Sequence, residues 1–144
     1  MKRVLVAVAI FLILASGTAL AATPVGQWNY KAFNEPDLEK GPLHGICFVA
    51  DGTWYSTTFT GWSGQWYQNG DRIRFYGTTG VVSTAEFGQF ISTTKFSGEF
   101  VHFFPTAPVA TSTIGNFFAT RTSLTCNPPA SPANSPSAGD PSAE

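Results

Sequence analysis

The sequence predicts an all-β domain, built as an antiparallel up-and-down barrel of about eight strands. Between residues 22 and 126 the chain is dense in aromatic residues, Thr and Gly, and turn signals recur at short intervals. In the same region no apolar pattern has the period of a helix. The eight predicted strands cover residues 25–33, 45–50, 53–59, 64–68, 71–76, 81–90, 93–104 and 112–125.

Turn chemistry separates neighbouring strands. Asp51 and Gly52 form a two-residue turn signal between the second and third predicted strands, and Asn69 and Gly70 form another between the fourth and fifth. Such dipeptides tolerate the left-handed backbone that tight hairpins need. Consecutive strands are therefore expected to be antiparallel neighbours.

A short unit recurs along the chain, in which Gly, a polar residue and an aromatic residue follow one another. Its six copies lie at residues 26–28, 52–54, 64–66, 88–90, 98–100 and 115–117. Gly inside a strand permits coiling and close backbone approach, and the aromatic residue two positions later covers the gap on the same face. Small barrels need both devices. The alternative is coincidence in a chain rich in Gly and aromatic residues.

The first residues have the features of a secretory signal. Lys2 and Arg3 precede an apolar run over residues 4–15, and residues 19–21 have the small-x-small form that a signal peptidase reads. A retained membrane anchor is the alternative, but anchors usually have a longer apolar stretch. We expect a cleaved signal peptide over residues 1–21 and a secreted or periplasmic protein that does not insert into a membrane afterwards.

The chain changes character near its C-terminus. From residue 127 onward Pro alternates with Ala, Ser and Gly, and no large apolar residue occurs. Such a segment cannot bury enough surface to offset the entropy of ordering. The expected domains are therefore a signal peptide over 1–21, a barrel over 22–126 and a disordered tail over 127–144.

Net charge excludes one class of partner. Removing Lys2 and Arg3 leaves six basic residues against nine acidic ones, which changes the formal net charge from −1 to −3. A nucleic-acid interface would need basic residues clustered on one face, so no nucleic-acid partner is expected.

Cys47 and Cys126 are the only cysteines. Export into an oxidising compartment makes a disulfide the default state of such a pair. A metal site is the rival interpretation, but Cys47 and Cys126 show no paired spacing with His44 and His102, the two histidines. We expect a Cys47–Cys126 bond, no metal and no cofactor.

Alternation along strands assigns side chains to the two faces of the barrel wall. In residues 72–76, Ile73 and Phe75 are expected to point inward and Arg72 and Arg74 toward water. Because Phe96, Phe100 and His102 share one face of the seventh predicted strand, they are also expected inside. The candidate ligand-binding residues are Phe100, His102, Trp54 and Trp66.

One family resemblance follows from the ends of the predicted barrel. Gly26, Gln27 and Trp28 resemble the first-strand motif of lipocalins and related calycin barrels, and Arg121 lies on the last predicted strand, where that family keeps an arginine over the tryptophan. The resemblance covers residues 24–126. It implies a lipocalin-like or avidin-like barrel whose one end is closed by Gly26, Trp28 and Arg121, through cation–π attraction and hydrogen bonds. A bond from Cys47 to Cys126 would suit it.

The expected function is non-enzymatic binding. Ser and Thr occur in strand-like runs with no nucleophile-elbow motif, and the histidines lack a catalytic partner pattern. The leading hypothesis is an exported barrel that binds a small apolar or aromatic ligand. The alternative is an envelope or secreted inhibitor or interaction module, whose barrel is filled by side chains and which binds another protein.

Overall fold

The computed structural model describes residues 22–34, 39–105 and 110–130, with the backbone alone at residues 39 and 40. It contains nine β-strands in chain order. They are β1 (Gly26–Asn34), β2 (Glu39–Lys40), β3 (His44–Phe48), β4 (Thr53–Ser56), β5 (Ser63–Asn69), β6 (Arg72–Thr78), β7 (Ser83–Ser92), β8 (Lys95–Phe104) and β9 (Thr111–Ser123).

Eight of these strands form a closed antiparallel barrel. From β3 to β9 each strand pairs with the next, β1 pairs with β3, and β9 returns to pair with β1. The short strand β2 pairs only with the end of β1, where Phe33 faces Lys40. The predicted fold class is therefore confirmed, and the architecture is compatible with the lipocalin-like fold that the first and last strands suggested.

Strand ends differ from the prediction by at most three residues, and the largest difference is at the end of β4. β4 ends at Ser56 rather than at residue 59, because the Ser56 hydroxyl accepts the backbone N–H groups of Thr58 and Phe59, at 3.0 and 2.7 Å. This local bond pattern replaces the ladder with a turn. The structure also contains one strand that was not predicted, β2, which lies between the first two predicted strands.

The interior of the barrel is packed with aromatic rings. Alternation places them there: Ile73 and Phe75 are buried, while Arg72 and Arg74 are exposed, as expected. The largest rings with under 2% exposure are Trp28, Trp54, Phe48, Phe75, Phe96 and Phe100. Phe75 contacts Phe48 and Phe96 in edge-to-face geometry, the arrangement that aromatic quadrupoles favour.

Trp28 and Arg121, the pair that the resemblance expects to close one end of the barrel, contact each other. They are direct partners on β1 and β9, and the Arg121 guanidinium carbon lies 4.8 Å from the centre of the Trp28 ring. The indole N–H donates to the Pro24 carbonyl at 2.6 Å, and Arg121 donates to the Thr23 carbonyl. Gly26 lies in the left-handed region at φ 123°, and a Cβ there would meet the Ser123 carbonyl oxygen.

The disulfide between Cys47 and Cys126 is present, with the two Cα atoms 5.5 Å apart. It ties the segment after β9 to β3. The chain continues along the barrel beyond it: the Tyr55 hydroxyl donates to the Asn127 carbonyl at 2.8 Å, and the Ala130 amide donates to the Ser56 carbonyl at 3.1 Å. Asn127 and Ala130, two residues of the predicted tail, therefore have barrel contacts.

The predicted signal peptide, residues 1–21, and the remainder of the predicted tail, residues 131–144, lie outside the described residues. The disulfide is consistent with an oxidising, extracytoplasmic environment.

Candidate functional site

A cluster of buried polar side chains lies inside the barrel, beyond the central aromatic rings and away from Trp28. It consists of Tyr30 on β1, His44 on β3, Trp62 in the β4–β5 connection, Glu86 on β7 and His102 on β8. Each of the five is at most 4% exposed. We call this set the interior polar cluster.

Alternation explains why these side chains meet. Glu86 lies on the same face of β7 as the buried residues Thr84 and Phe90. His102 lies on the same face of β8 as the buried residues Phe96 and Phe100. Both side chains therefore point into the barrel. Trp62 lies in the connection between β4 and β5 and not on a strand. The turn after β4 brings it back to the barrel, where the Ser56 amide donates to the Trp62 carbonyl at 2.8 Å.

Rings and hydrogen bonds hold the cluster together. The His44 ring stacks on Trp62 at 5.3 Å between centres, and Trp62 meets His102 edge-on at 5.4 Å. His44 Nε2 bonds to the Ser56 hydroxyl at 2.9 Å. Glu86 Oε1 lies 3.8 Å from His102 Nε2, an ion-pair distance but too long for a hydrogen bond.

Several polar atoms of the cluster make no hydrogen bond to any residue that the structure describes. They are Tyr30 Oη, Trp62 Nε1, Glu86 Oε2, His102 Nδ1 and His102 Nε2. A buried polar group without a partner costs about 1–3 kcal/mol. The cluster therefore provides donors and acceptors that a small polar molecule could satisfy.

The space between these groups is small. It is bounded by the cluster and by Ala32, Pro42, Ile46 and Trp54, and its cavity volume is about 10 Å³. On the same measure one water needs roughly 10–15 Å³. This cavity therefore accommodates about one water and leaves no room for an organic ligand without rearrangement.

Burial governs the protonation of the cluster. Burial and the neighbouring His102 lower the pKa of His44 to about 3, so its ring is neutral at pH 7. Burial also raises the pKa of Glu86. The pKa of the Tyr30 hydroxyl is raised well above its usual value, by burial and then by Glu86. Among the described residues no Lys or Arg is buried to balance a charge here.

The four predicted ligand-binding residues do not share one site. His102 and Trp54 line the cavity, and Phe100 is buried beside His102 with 4.5 Å between ring centres. Trp66 is half-buried near the Trp28 side of the core: it lies 6.3 Å from Phe48, and its N–H donates to the Val49 carbonyl at 2.8 Å. The Trp54 N–H likewise donates to a backbone carbonyl, that of Tyr76, at 2.9 Å.

Sequence reasoning missed Tyr30, His44, Trp62 and Glu86 as members of the site. Glu86 could have been found, because it is an acidic residue at an inward-facing position of β7. Trp62 could not, since it follows the turn residue Gly61 and its burial depends on where the connection returns.

The outer surface of the barrel carries the second notable feature, a patch of exposed apolar side chains. It extends over strands β5 to β9, and we call it the outer patch. Its exposed apolar members are Tyr67, Tyr76, Phe87, Val101, Phe103 and Ile114, with the half-buried Ala85 and the exposed charged residues Arg74 and Glu99 among them.

Strand register shows that the outer patch is continuous. Tyr76 faces Ala85, Ala85 faces Val101, and Val101 faces Ile114, so four neighbouring strands contribute one unbroken apolar row. With strands about 4.8 Å apart, this row extends for about 14 Å. Phe87, with 51% of its surface exposed, lies two residues along β7 from Ala85.

Two tyrosines at the edge of the patch are held in place. The rings of Tyr67 and Tyr76 stack at 6.1 Å between centres. Both hydroxyls donate to Gln65 Oε1, at 3.0 and 2.7 Å. These two rings are therefore exposed to solvent but held in one orientation.

Within the described part of the chain, no group of three or more His, Cys, Asp or Glu residues could hold a metal ion. In the same residues no helix has the length and apolarity needed to cross a membrane.

Comparison with protein-family models, with curated proteins and with solved structures found no match.

Proposed function

We propose that this protein is an exported, non-enzymatic interaction module that binds another protein through its outer patch. The observation that supports this proposal is the contrast between the two faces of the barrel wall. Inside, aromatic rings fill the core and the cavity beside His102 has about the volume of one water. Outside, a continuous apolar row is exposed across four strands.

Physical chemistry favours the outer patch as a protein-binding surface. Contiguous exposed apolar patches on monomeric proteins are often functional, since each exposed ring leaves apolar surface in water. Aromatic residues and arginine are the commonest interface hot spots. The patch supplies Tyr67, Tyr76, Phe87 and Arg74, and the paired tyrosines lose little conformational entropy on binding because they are already ordered.

A non-enzymatic role is supported by the interior polar cluster itself. Glu86 and His102 bring a carboxyl group and an imidazole close together, but general acid–base chemistry needs a substrate within hydrogen-bond reach of such groups. The cavity of about 10 Å³ beside them has no room for one. We therefore assign the cluster a structural role rather than a catalytic one.

A small-ligand carrier is the second candidate function. The unpartnered atoms of Tyr30, Trp62, Glu86 and His102 favour it, since a ligand could satisfy them. It would require Trp62 to move away from His102, because the present cavity is too small. A ligand admitted in this way would be polar, rather than the apolar molecule expected from the aromatic face of β8.

Site-specific photo-crosslinking tests the proposed function. A benzophenone amino acid replaces Phe87 in one variant and Leu43, which is exposed outside the patch, in a control variant. After irradiation in the producing cells and their medium, position 87 should give one defined protein adduct that position 43 does not give. Unlabelled wild-type protein should compete for it, and a Val101→Glu variant should compete poorly. Identical patterns from both positions, or no adduct from position 87, would refute the proposal.

A further inference from the structure

The outer patch contains two opposite charges on either side of one exposed ring. In register across β6, β7 and β8, Arg74 faces Phe87 and Phe87 faces Glu99. All three side chains are exposed, and the Arg74 guanidinium lies 5.4 Å from the centre of the Phe87 ring. This row of three residues therefore has a positive charge at one end, a negative charge at the other and an aromatic ring between them.

We infer that the partner of this surface is a second copy of this chain, related by a two-fold axis that runs along β7. Rotation by 180° about an axis in the interface plane exchanges the two sides of the row. Arg74 of each copy then faces Glu99 of the other, and the two Phe87 rings meet at the axis. A two-fold interface requires this self-complementarity, in which one patch supplies both partners of every contact.

The neighbouring row obeys the same symmetry. Tyr76 lies on β6, Ala85 on β7 and Val101 on β8, at matching register. The rotation therefore places Tyr76 of one copy against Val101 of the other, and the two small Ala85 side chains together at the axis. Across β6 to β8 of this row apolar groups meet apolar groups, while opposite charges meet in the first row.

Strand direction is also suitable for this packing. An axis along β7 leaves the strands of the two copies nearly aligned, and aligned sheets pack face to face at about −30° because of their twist. The Ala85 pair lets the two sheets approach closely between the larger side chains. This inference rests on the proposed function and narrows its partner to one molecule.

Charge reversal combined with analytical ultracentrifugation tests the inference. The exported, disulfide-bonded protein should show a reversible monomer–dimer equilibrium in a concentration series. Arg74→Glu and Glu99→Arg, made separately, should each raise the dimer Kd by roughly tenfold, because each places like charges across the axis. The double variant Arg74→Glu/Glu99→Arg should bring the Kd back to within roughly threefold of wild type.

Controls separate loss of the dimer from loss of the fold. Lys31→Glu reverses a charge on β1, away from the patch, and should leave the Kd unchanged. Near-ultraviolet circular dichroism and an intact disulfide should show that each variant is folded. Phe87→Glu provides a second probe and should abolish the dimer without unfolding the chain.

Each result decides between the possibilities. A wild-type protein that stays monomeric up to roughly 100 μM would overturn the inference, as would a dimer that the double reversal fails to restore. If the monomeric protein still forms a specific adduct with a different protein from position 87, the proposed function stands and only the identity of the partner is wrong. If position 87 forms no adduct at all, both are wrong.

Discussion

Trp28 shows how much of this fold depends on a single side chain. It is fully buried, lies 4.7 Å from Phe96 between ring centres, donates to the Pro24 carbonyl and is covered by Arg121. Packing, hydrogen bonding and cation–π attraction therefore all act on one indole. Trp28 and Arg121, two of the residues on which the resemblance rests, therefore contact each other in the fold.

Removal of this indole should be costly. Trp28→Ala is expected to lower the free energy of unfolding by about 3–5 kcal/mol, because it leaves a large cavity at the end of the barrel. Arg121→Ala should cost about 1–2 kcal/mol through the lost cation–π contact and the bond to Thr23. Chemical denaturation followed by tryptophan fluorescence and circular dichroism measures both. Arg72→Ala, an exposed arginine on β6, is the matched control and should change stability by less than about 0.5 kcal/mol.

His44 predicts how stability depends on pH. Its pKa is about 3 in the folded protein and about 6.5 when unfolded, so between these values the unfolded chain binds the proton and the folded chain does not. His44 therefore contributes fully above pH 6.5, and its contribution is lost as pH falls toward 3. The slope for this single group is at most about 1.4 kcal/mol per pH unit.

Glu86 acts in the opposite direction. Its pKa is raised in the fold, so its contribution to the free energy of unfolding is present at low pH and is lost as pH rises through the folded value.

The variant His44→Gln tests the prediction for His44, because Gln can keep a bond to the Ser56 hydroxyl but cannot titrate. Denaturation midpoints between pH 4 and 8 should therefore fall less steeply on acidification for His44→Gln than for wild type. Equal slopes for the two proteins would show that His44 does not bind its proton as described.

At the level of strands, close approach at inward glycines shapes the barrel wall. Gly98 on β8 faces Gly88 on β7. A Cβ at Gly98 would collide with the Phe87 carbonyl oxygen and lie 2.6 Å from the Gly88 Cα, both backbone atoms. A Cβ at Gly88 would meet only side chains, those of Phe117, Ile73 and Phe96, at 3.0–3.2 Å.

These two glycines should therefore differ in tolerance. Gly98→Ala is expected to destabilise the protein by more than about 2 kcal/mol, because backbone must move, while Gly88→Ala should cost less since side chains can shift. Thermal unfolding of both variants under identical buffer conditions provides the comparison. Similar losses at the two positions would mean that the strands can separate at Gly98 without disturbing the wall.

The strands themselves were largely predictable, for identifiable reasons. Asn69 and Gly70 marked the hairpin between β5 and β6, and alternation placed Ile73 and Phe75 inside. Local turn chemistry and a period of two residues determine such features, and both can be read from neighbouring residues.

The remaining features depend on single side-chain hydrogen bonds or on the packing of distant segments. β4 ends early because the Ser56 hydroxyl accepts hydrogen bonds from the backbone amides of Thr58 and Phe59, which then do not continue the strand pairing. Trp62 is buried because its connection folds back over the barrel, and no local pattern reports that path. The outer patch likewise depends on register across five strands, which places Tyr76, Val101 and Ile114 in one row.

For the molecule as a whole, the Cys47–Cys126 bond is expected to stabilise the fold by restricting the unfolded chain. It closes a sequence separation of 79 residues, which on the chain-entropy account is worth about 4.5 kcal/mol. Reduction of the folded protein should therefore lower its denaturation midpoint. The Cys47→Ala/Cys126→Ala variant should unfold at the lower midpoint with or without reductant. An unchanged denaturation midpoint of the wild-type protein on adding reductant would mean that the disulfide contributes little to the free energy of unfolding.

The proposal of a filled interior and a protein-binding outer surface is tested most directly by native mass spectrometry of the disulfide-bonded protein. We expect the mass of the disulfide-bonded polypeptide, alone or in non-covalent association with a protein, and no organic molecule released on denaturation. An organic molecule released in stoichiometric amount would show that the barrel opens around His102 and Trp62 to hold a ligand, and would contradict the proposed function.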